Sequence, residues 1–394
     1  MNNKFLYYFS KKTILVVGVC LILSIALGIV FVQNSNKDKQ LLNSLWTNYK
    51  SQYIDKGSGR AIDEQSDGMT TSEGQSYSML RAVISGDKST FDKSWQWTKD
   101  NLRRIEDNLF SWKWGKRKDN SYGVLFETGG QNVAFDGDID IAFSLILASK
   151  KWNNKEYLDE SKAIIKDIWS KGVVVSNSGK LILASNDLEK KYNKTNIVVN
   201  PSYFSTYAFH SFAKVTPELE WNRLADDCYF FLNKILDTKL ISDKPTVLPP
   251  DWINIDKEKL TITPAENKKI LFGYDAIRIP WRVALDYNQN RNEPALNYMK
   301  KLGFLSQEFQ NKGMIYTVYD IVGNVVENSE SIWVYSSLLE FFNIVDQSKS
   351  QSILESKILP KLKSNNYKNM GYYESNWTWF GLALNYNVFK STVD

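Results

Sequence analysis

Residues 132–148 read NVAFDGDIDIAFSLILA, and this stretch decides the fold class. From Ile139 to Leu147 the run is almost continuously apolar. No face is left for water, which suits a helix buried on all sides. Asp136, Asp138 and Asp140 stand at alternate positions just ahead. Their spacing resembles the start of a calcium loop, but the helix begins at once and the later acidic ligand of such a loop is missing. Asp138 suits a helix cap, whereas Asp136 is one acid more than a cap needs. A helix buried all round needs other helices about it.

The flanking sequence supplies them, with apolar residues recurring at spacings of three and four. Leu41, Leu42, Leu45 and Trp46 open a first helix; Met79, Leu80 and Val83 lie on a second that follows Glu73. A third runs from Phe91 through Trp95 and Trp97 to Leu102. Beyond the buried helix, Tyr157, Ile164, Ile168 and Trp169 mark a fifth. Further helices are predicted over 202–215, 217–236, 275–288, 291–311, 328–344, 348–365 and 371–388, making twelve, mostly joined by short loops. Strand signals are few: Gly172 to Leu183 reads as a hairpin around Asn177-Ser178-Gly179, and Met314 to Val322 as another. Twelve helices can pack as a bundle, a solenoid or a closed double ring. A closed ring leaves a concave, loop-lined face where its inner helices end.

Composition narrows the chemistry. The 394 residues suffice for one large domain or two ordinary ones, and 43% hydrophobic content supports a real core. Lys4, Lys11 and Lys12 account for three of the net +5 charges, and no basic stripe of the kind nucleic acid demands is present. Cys20 and Cys228 are the only cysteines, which excludes a disulfide framework. The one histidine, His210 in FSTYAFHSF, is read as structural, and zinc sites built on several histidines are excluded. Acid–base work therefore falls to carboxylates or tyrosines. The 13 Trp and 21 Tyr suit both a core and the faces of sugar rings.

Thr13 to Val32, TILVVGVCLILSIALGIVFV, carries no charge over 20 residues. As a helix it spans about 30 Å, the hydrocarbon thickness of a bilayer. Lys11 and Lys12 precede it, so the expected order is a cytoplasmic stub over 1–12, a transmembrane anchor over 13–32, a polar linker over 33–39 and an extracellular domain over 40–394. Secretion after cleavage near Ser24 to Gly28 is the alternative. A lipoprotein Cys20 is disfavoured by Val19, which stands where a small residue is usual.

Three segments carry side chains suited to chemistry. Thr71–Ser78, TSEGQSYS, opens a helix; alone, Ser72 and Glu73 would be a cap and a first-turn acid. The second is the acid run at Asp136, Asp138 and Asp140. In the third, FGYDAIRIPWRVALDY at 272–287, Asp275 precedes Arg278 and Arg282, which share a helix face and alone would read as a salt-bridged surface.

Together these segments resemble glycoside hydrolase family 8. Ser72, Glu73, Gly74 and Tyr77 match its acid motif; Asp136 to Ala142 matches its Asp-x-Asp-x-Asp-Ile-Ala run. Tyr274, Asp275, Ala276, Arg278, Trp281 and Arg282 match a third signature, and Asn200 to Phe204 and Pro250-Asp251-Trp252 also look like family segments. The resemblance covers roughly residues 41–388 and implies an all-α (α/α)6 barrel of about twelve helices with small β-hairpin insertions, here preceded by one transmembrane helix. It implies hydrolysis with inversion, with Glu73 as general acid, Asp275 as base and Asp136 touching the sugar at the cleavage point. It further implies sugar stacking on Trp112, orientation of base and water by Tyr274 and Arg278, and substrate contacts from Tyr77, Tyr203 and Trp281. A protonated Glu73 at neutral pH would require burial or a neighbouring anion, for which Asp136 is the candidate. No metal or organic cofactor is implied.

Two departures bear on substrate. Ser76 and Ser78 replace glycines common around the family's acid motif, which would narrow backbone clearance. The stretch from Asn177 to Val199 lacks a Trp-Gly segment associated with the family's cellulases. Cellulose, mixed-linkage glucans, xylans, chitosan and an amino-sugar exopolysaccharide all fit. An anchor suggests an enzyme that trims a β-1,4-linked exopolysaccharide or biofilm glycan as it leaves the cell's own synthase, with the membrane and a polysaccharide synthase complex as expected partners. The alternatives are a non-catalytic glycan-binding or assembly protein on the same scaffold, marked by loss of a carboxylate, and a structural surface protein. All three acids are present.

Overall fold

The structure is a computed structural model that describes residues 36–192, 194–241, 243–363 and 366–389. The chain divides into two compact units, 1–44 and 45–394. The first is helical from residue 36 onward, so Asn36 to Lys39, expected as linker, already belong to a helix. Lys37, Lys39 and Gln40 are straight-chain residues that lose little rotamer freedom there. The stub, the predicted anchor at Thr13–Val32 and the start of the linker lie outside the described residues. Among the described residues no helix is long and apolar enough to cross a membrane.

The second unit contains α1 (its part of helix 36–53), α2 (Ser72–Ser85), α3 (Lys88–Leu102), α4 (Phe135–Trp152) and α5 (Lys155–Gly172). A short α6 (Asp187–Lys191) precedes α7 (Thr206–Val215), α8 (Trp221–Leu236), α9 (Arg278–Asn290), α10 (Glu293–Lys301) and α11 (Gly303–Lys312). α12 (Ile332–Val345), α13 (Gln347–Ile353), α14 (Leu359–Lys363) and α15 (Tyr372–Asn385) complete it. Helices α2, α4, α7, α9, α12 and α15 pack in that order as an inner ring. The ring closes where Tyr77 of α2 meets Trp377 and Phe380 of α15, at 5.8 and 5.3 Å between ring centres. Arg81 Nη1 also donates to Asn376 Oδ1 at 3.0 Å. Helices α3, α5, α8, α10 and α13 lie against α2, α4, α7, α9 and α12 respectively.

The two layers differ in sequence as burial demands. Helix α4 is buried continuously from Phe135 to Ala148, and α12 from Ile332 to Phe342. Outer α5 instead buries one stripe, Tyr157, Ser161, Ile164, Ile165 and Ile168, and turns its lysines outward. Each fully buried Ile, Leu or Phe contributes about 1.5–3 kcal/mol to this packing.

Connections divide by direction. Inner-to-outer links are minimal: Gly86-Asp87, Asn153-Asn154 and Arg291-Asn292 each pair a left-handed residue closing one helix with an Asx side chain capping the next. Outer-to-inner links are long and hold every strand among the described residues. β1 (Thr70–Thr71), β2 (Lys113–Lys116) and β3 (Tyr122–Val124) form one sheet; β4 (Val173–Val175) and β5 (Leu181–Leu183) form the predicted hairpin. β6 (Asn196–Val199), β7 (Ile253–Asp256) and β8 (Ile262–Pro264) form another, and β9 (Leu271–Phe272), β10 (Val318–Asp320) and β11 (Val325–Glu327) a fourth.

The predicted helices are found with local differences. The 291–311 helix breaks in two at Leu302, where ψ leaves the helical range. The 202–215 helix begins as a 3-10 turn over Pro201–Tyr203. The 348–365 helix contains a π turn at Leu354–Ile358. Within Met314–Val322 only Val318–Asp320 is strand, and it pairs with segments outside that window. Two sheets went unpredicted because strands of two to four residues are too brief to show alternation.

Candidate active site

Because each inner helix follows an outer one of opposite direction, the N-termini of the inner ring share one end of the barrel. Unpaired N–H groups and helix dipoles make that end favourable for anions. Glu73 lies in the first turn of α2, Asp136 in the first turn of α4, and Asp275 in the turn entering α9. The cap of α2 is Thr71 rather than Ser72: Thr71 Oγ1 accepts from the Gly74 N–H at 2.9 Å. Gly74 is required, since a Cβ there would stand 2.1 Å from the Tyr372 hydroxyl. Ser76 and Ser78 do not narrow the site. Their hydroxyls fold back onto the carbonyls of Glu73 and Gly74, at 2.6 and 3.2 Å.

One side chain gathers the acids. Arg278, 1% exposed, donates from Nη1 to Asp136 Oδ2 at 3.0 Å and to the Tyr77 hydroxyl at 3.2 Å, and Glu73 Oε2 lies 3.4 Å from the same nitrogen. Its Nη2 donates to Ser202 Oγ at 2.7 Å and to Asp275 Oδ1. Three carboxylates from three elements thus share one guanidinium, and the Asp275–Arg278 pair, which taken alone would read as surface, has its arginine buried. Glu73 and Asp275 are the reachable members, each with about a third of its side chain exposed (30% and 31%). Asp136 is 2% exposed, with its second oxygen accepting from the Gly137 N–H, so almost none of its surface is free for the implied sugar contact.

The other two acids of the alternating run do different work. Asp140 makes a two-oxygen pair with buried Arg282, at 3.1 and 2.9 Å, and accepts from Tyr207. Asp138 does not cap its helix; it accepts the Phe110 N–H at 2.9 Å. An α-helix turns residues 136 and 140 to one face and 138 to another, which ends the resemblance to a calcium loop.

Burial, followed by the charge of Glu73, pushes the Asp136 carboxyl up to about 7, despite the opposing pull of Arg278. Burial likewise lifts Asp138 well above the carboxylate range. Tyr77 and Tyr203 are raised well above 10, again by burial, so both remain hydroxyl groups at neutral pH. That leaves carboxylates for proton transfer.

The loop carrying Asp275 is anchored by a residue to which sequence reasoning gave no role. Asp251 Oδ1 accepts the N–H groups of Gly273, Asp275 and Ala276, at 3.1, 3.2 and 2.7 Å. A Cβ on Gly273 would come 2.8 Å from the other oxygen, so the carboxyl approaches glycine backbone directly. Burial and then the charge of Asp275 push Asp251 up to about 6. Neighbouring Trp252 donates its indole N–H to Asp275 Oδ2 at 3.1 Å and packs against Tyr203. The Pro-Pro-Asp-Trp segment was visible in the sequence, but nothing local reveals that its acid faces a loop more than twenty residues away.

The remaining candidates divide. Tyr203 is buried beneath the Arg278 guanidinium, 5.7 Å from it, and Tyr77 is buried as an acceptor for Arg278. Trp112 borders the acid: its carbonyl accepts the Ser72 N–H at 3.1 Å, and its half-buried indole donates to Gly129 O. Tyr274 differs from expectation. Its half-exposed ring lies stacked on Trp333, 5.3 Å away, rather than hydrogen-bonded to the Asp275 carboxylate. Trp281 is a correction. It is 2% exposed, wedged among Tyr207, Trp377 and Phe380, and its N–H is spent on Phe380 O at 2.9 Å, so no ring face is open to a sugar. Its spacing from Asp275 turns it into the core. His210 sits apart, bonded to Asn222.

Comparison with known proteins agrees with this architecture. The family described as "Glycosyl hydrolases family 8" matches residues 25–324. An endoglucanase of Escherichia coli is 31% identical over 271 residues, covering 66% of this chain and 69% of that protein. A probable endoglucanase of Novacetimonas hansenii is 28% identical over 238 residues, covering 60% and 64%. The crystal structure of an endo-1,4-D-glucanase from Vibrio fischeri superposes with a TM-score of 0.71 at 24% identity, covering 87% of this chain and 94% of that one. A helical barrel whose inner N-termini gather three acids on one arginine, and a family match over most of the sequence, converge: the chain belongs to glycosyl hydrolase family 8 and is a glycoside hydrolase.

Proposed function

We propose that this hydrolase is an endo-β-1,4-glucanase acting by inversion, with Glu73 as general acid and Asp275 as general base. The observation that carries the reading is the shared guanidinium of Arg278. It limits the gap between the nearest oxygens of Glu73 and Asp275 to the width of that group plus two contacts, on the order of 8 Å at most. A bound of this size admits the roughly 6.5–9.5 Å at which inverting enzymes hold their carboxyls so that water fits beneath the sugar, and the inverting course itself rests on the family resemblance. Trp252 and Arg278 donate to the two oxygens of Asp275, which orients it and leaves a lone pair on each for water. Asp136 and Glu73 face the same nitrogen of Arg278, and the buried Asp136 carboxyl, raised to about 7, holds a proton beside Glu73 near neutral pH. Glu73, the more exposed of the two, delivers it to the leaving oxygen. The endoglucanase names of the relatives support the glucan assignment.

The apolar run at Thr13–Val32 supports a membrane anchor with the enzyme outside the cell, and hence a role in trimming an exopolysaccharide or biofilm glycan beside its synthase. Protease accessibility of the domain on intact cells checks this. For the chemistry, Glu73→Gln and Asp275→Asn should each lower kcat on soluble β-1,4-glucan by at least about 10³-fold while binding survives. The first product should be the α-anomer by NMR. Initial β-product excludes inversion, and near-native turnover in either variant removes that residue from its role.

A further inference from the structure

We propose that the cleft takes a β-glycan bearing acidic substituents, carboxylate or phosphate, and that Lys113 and Lys268 recognise them on either side of the cut. The inference rests on the glycanase reading above and narrows its substrate class. Two partly exposed tryptophans border the catalytic carboxylates, and each carries an ammonium. On the acid side, Lys113 faces Thr71 across the β1–β2 pair, two residues from Glu73, with its Nζ 5.3 Å from the Trp112 ring. On the base side, Lys268 Nζ lies 4.5 Å from the ring of Trp252, whose N–H is bonded to Asp275.

Neither lysine is within ion-pair distance of a carboxylate among the described residues, nor are Lys116, Arg117 and Lys118 beyond Lys113 or Lys269 beside Lys268. The nearby acids are otherwise placed: Asp119 is bonded to Ser121, and Glu127 and Glu266 are exposed to solvent. An ammonium resting on a stacking ring competes with a neutral sugar for that ring. A sugar carrying an anionic group gains instead, because the flexible lysine swings to a charge-assisted hydrogen bond. Flanking cations also offset the repulsion that Glu73, Asp136 and Asp275 would exert on a polyanion.

The test reads binding without turnover. The Glu73→Gln protein is run through native gels containing carboxymethylcellulose or neutral hydroxyethylcellulose. Retention by the anionic polymer should be the stronger, and this preference should shrink in about 0.5 M salt. Adding Lys113→Gln and Lys268→Gln should cut the preference at least about five-fold, and Lys113→Arg with Lys268→Arg should restore it. A control with the same charge change on outer helices, Lys155→Gln with Lys300→Gln, should not cut it. Equal retention by both polymers, or an equal effect of the control pair, overturns the inference. Failure of the wild-type protein to cleave any β-glycan overturns the glycanase reading separately.

Discussion

Replacing Arg278 by Met tests the central arrangement most directly. The side chain is 1% exposed and serves Tyr77, Ser202, Asp136 and Asp275 by hydrogen bonds and Glu73 by charge. Methionine fills much of the volume but leaves three acids facing one another without a cation. Breaking a buried ion pair by removing one partner costs about 3–5 kcal/mol. That is a large share of the roughly 5–15 kcal/mol by which a domain is stable.

The cost should depend on pH, with a definite sign. Asp136 is raised to about 7 in the folded protein, above its ordinary value near 3.8, so the folded state holds a proton that the unfolded chain releases between those values. Its contribution therefore favours folding at low pH and is lost as pH rises through about 7. Removing Arg278, which pulls Asp136 downward, steepens that loss. Urea denaturation of the wild type and Arg278→Met should show a deficit of about 3–5 kcal/mol near pH 8. Near pH 5 the deficit should be smaller by at least about 1.4 kcal/mol, the equivalent of one pKa unit. A deficit under about 1 kcal/mol, or one that does not change with pH, would refute a buried arginine holding charged carboxylates together.

Two further substitutions probe the residues that sequence reasoning missed or misplaced. Asp251→Ala removes the acceptor for three loop N–H groups and should lower kcat on soluble β-glucan about 10²-fold with little change in KM; Asp251→Asn, which keeps one acceptor oxygen, should recover most of it, and a change confined to KM would deny the positioning role. Trp281→Phe should cost about 1–2 kcal/mol of stability through the lost bond to Phe380 and leave KM unchanged, whereas a raised KM in a fully stable variant would return Trp281 to the sugar.

Sequence carried the helix pattern well because inner and outer helices differ in how many of their faces are apolar. The α4 run and the α5 stripe announce their layers without help. It also exposed Glu73, Asp136 and Asp275 as acids at helix starts. What it could not reveal was direction of burial. Arg278 and Arg282 four apart look the same on a solvated surface as in a barrel core; only their partners, Asp136 and Asp140, also four apart, decide the matter. Both pairs are separated by 142 positions, so two parallel inner helices advance in step, a relation no local window contains. The role of Asp251 was hidden for the same reason, since its hydrogen bonds reach backbone groups of a distant loop.

That in-step advance explains why a catalytic site stands on such a costly interior. Along α9, positions 278 and 282 meet the acids of α4 on the inner ring, while position 286 meets the outer layer through Tyr229 of α8. Arg278 meets Asp136, Arg282 meets Asp140, and Asp286 accepts from the Tyr229 hydroxyl. Buried ion pairs of this kind are weak contributors to stability, since desolvation offsets most of their attraction. Their effect is positional. Slipping α9 by one turn against α4 would set Arg278 beside Asp140 and leave Arg282 unpaired in the core, so the lower rung holds the register of the upper one. Only the upper rung is joined by acids that solvent reaches, the partly exposed Glu73 and Asp275. The ring's parallel N-termini attract the acids to that end, and the ladder beneath fixes the height at which the arginine receives them.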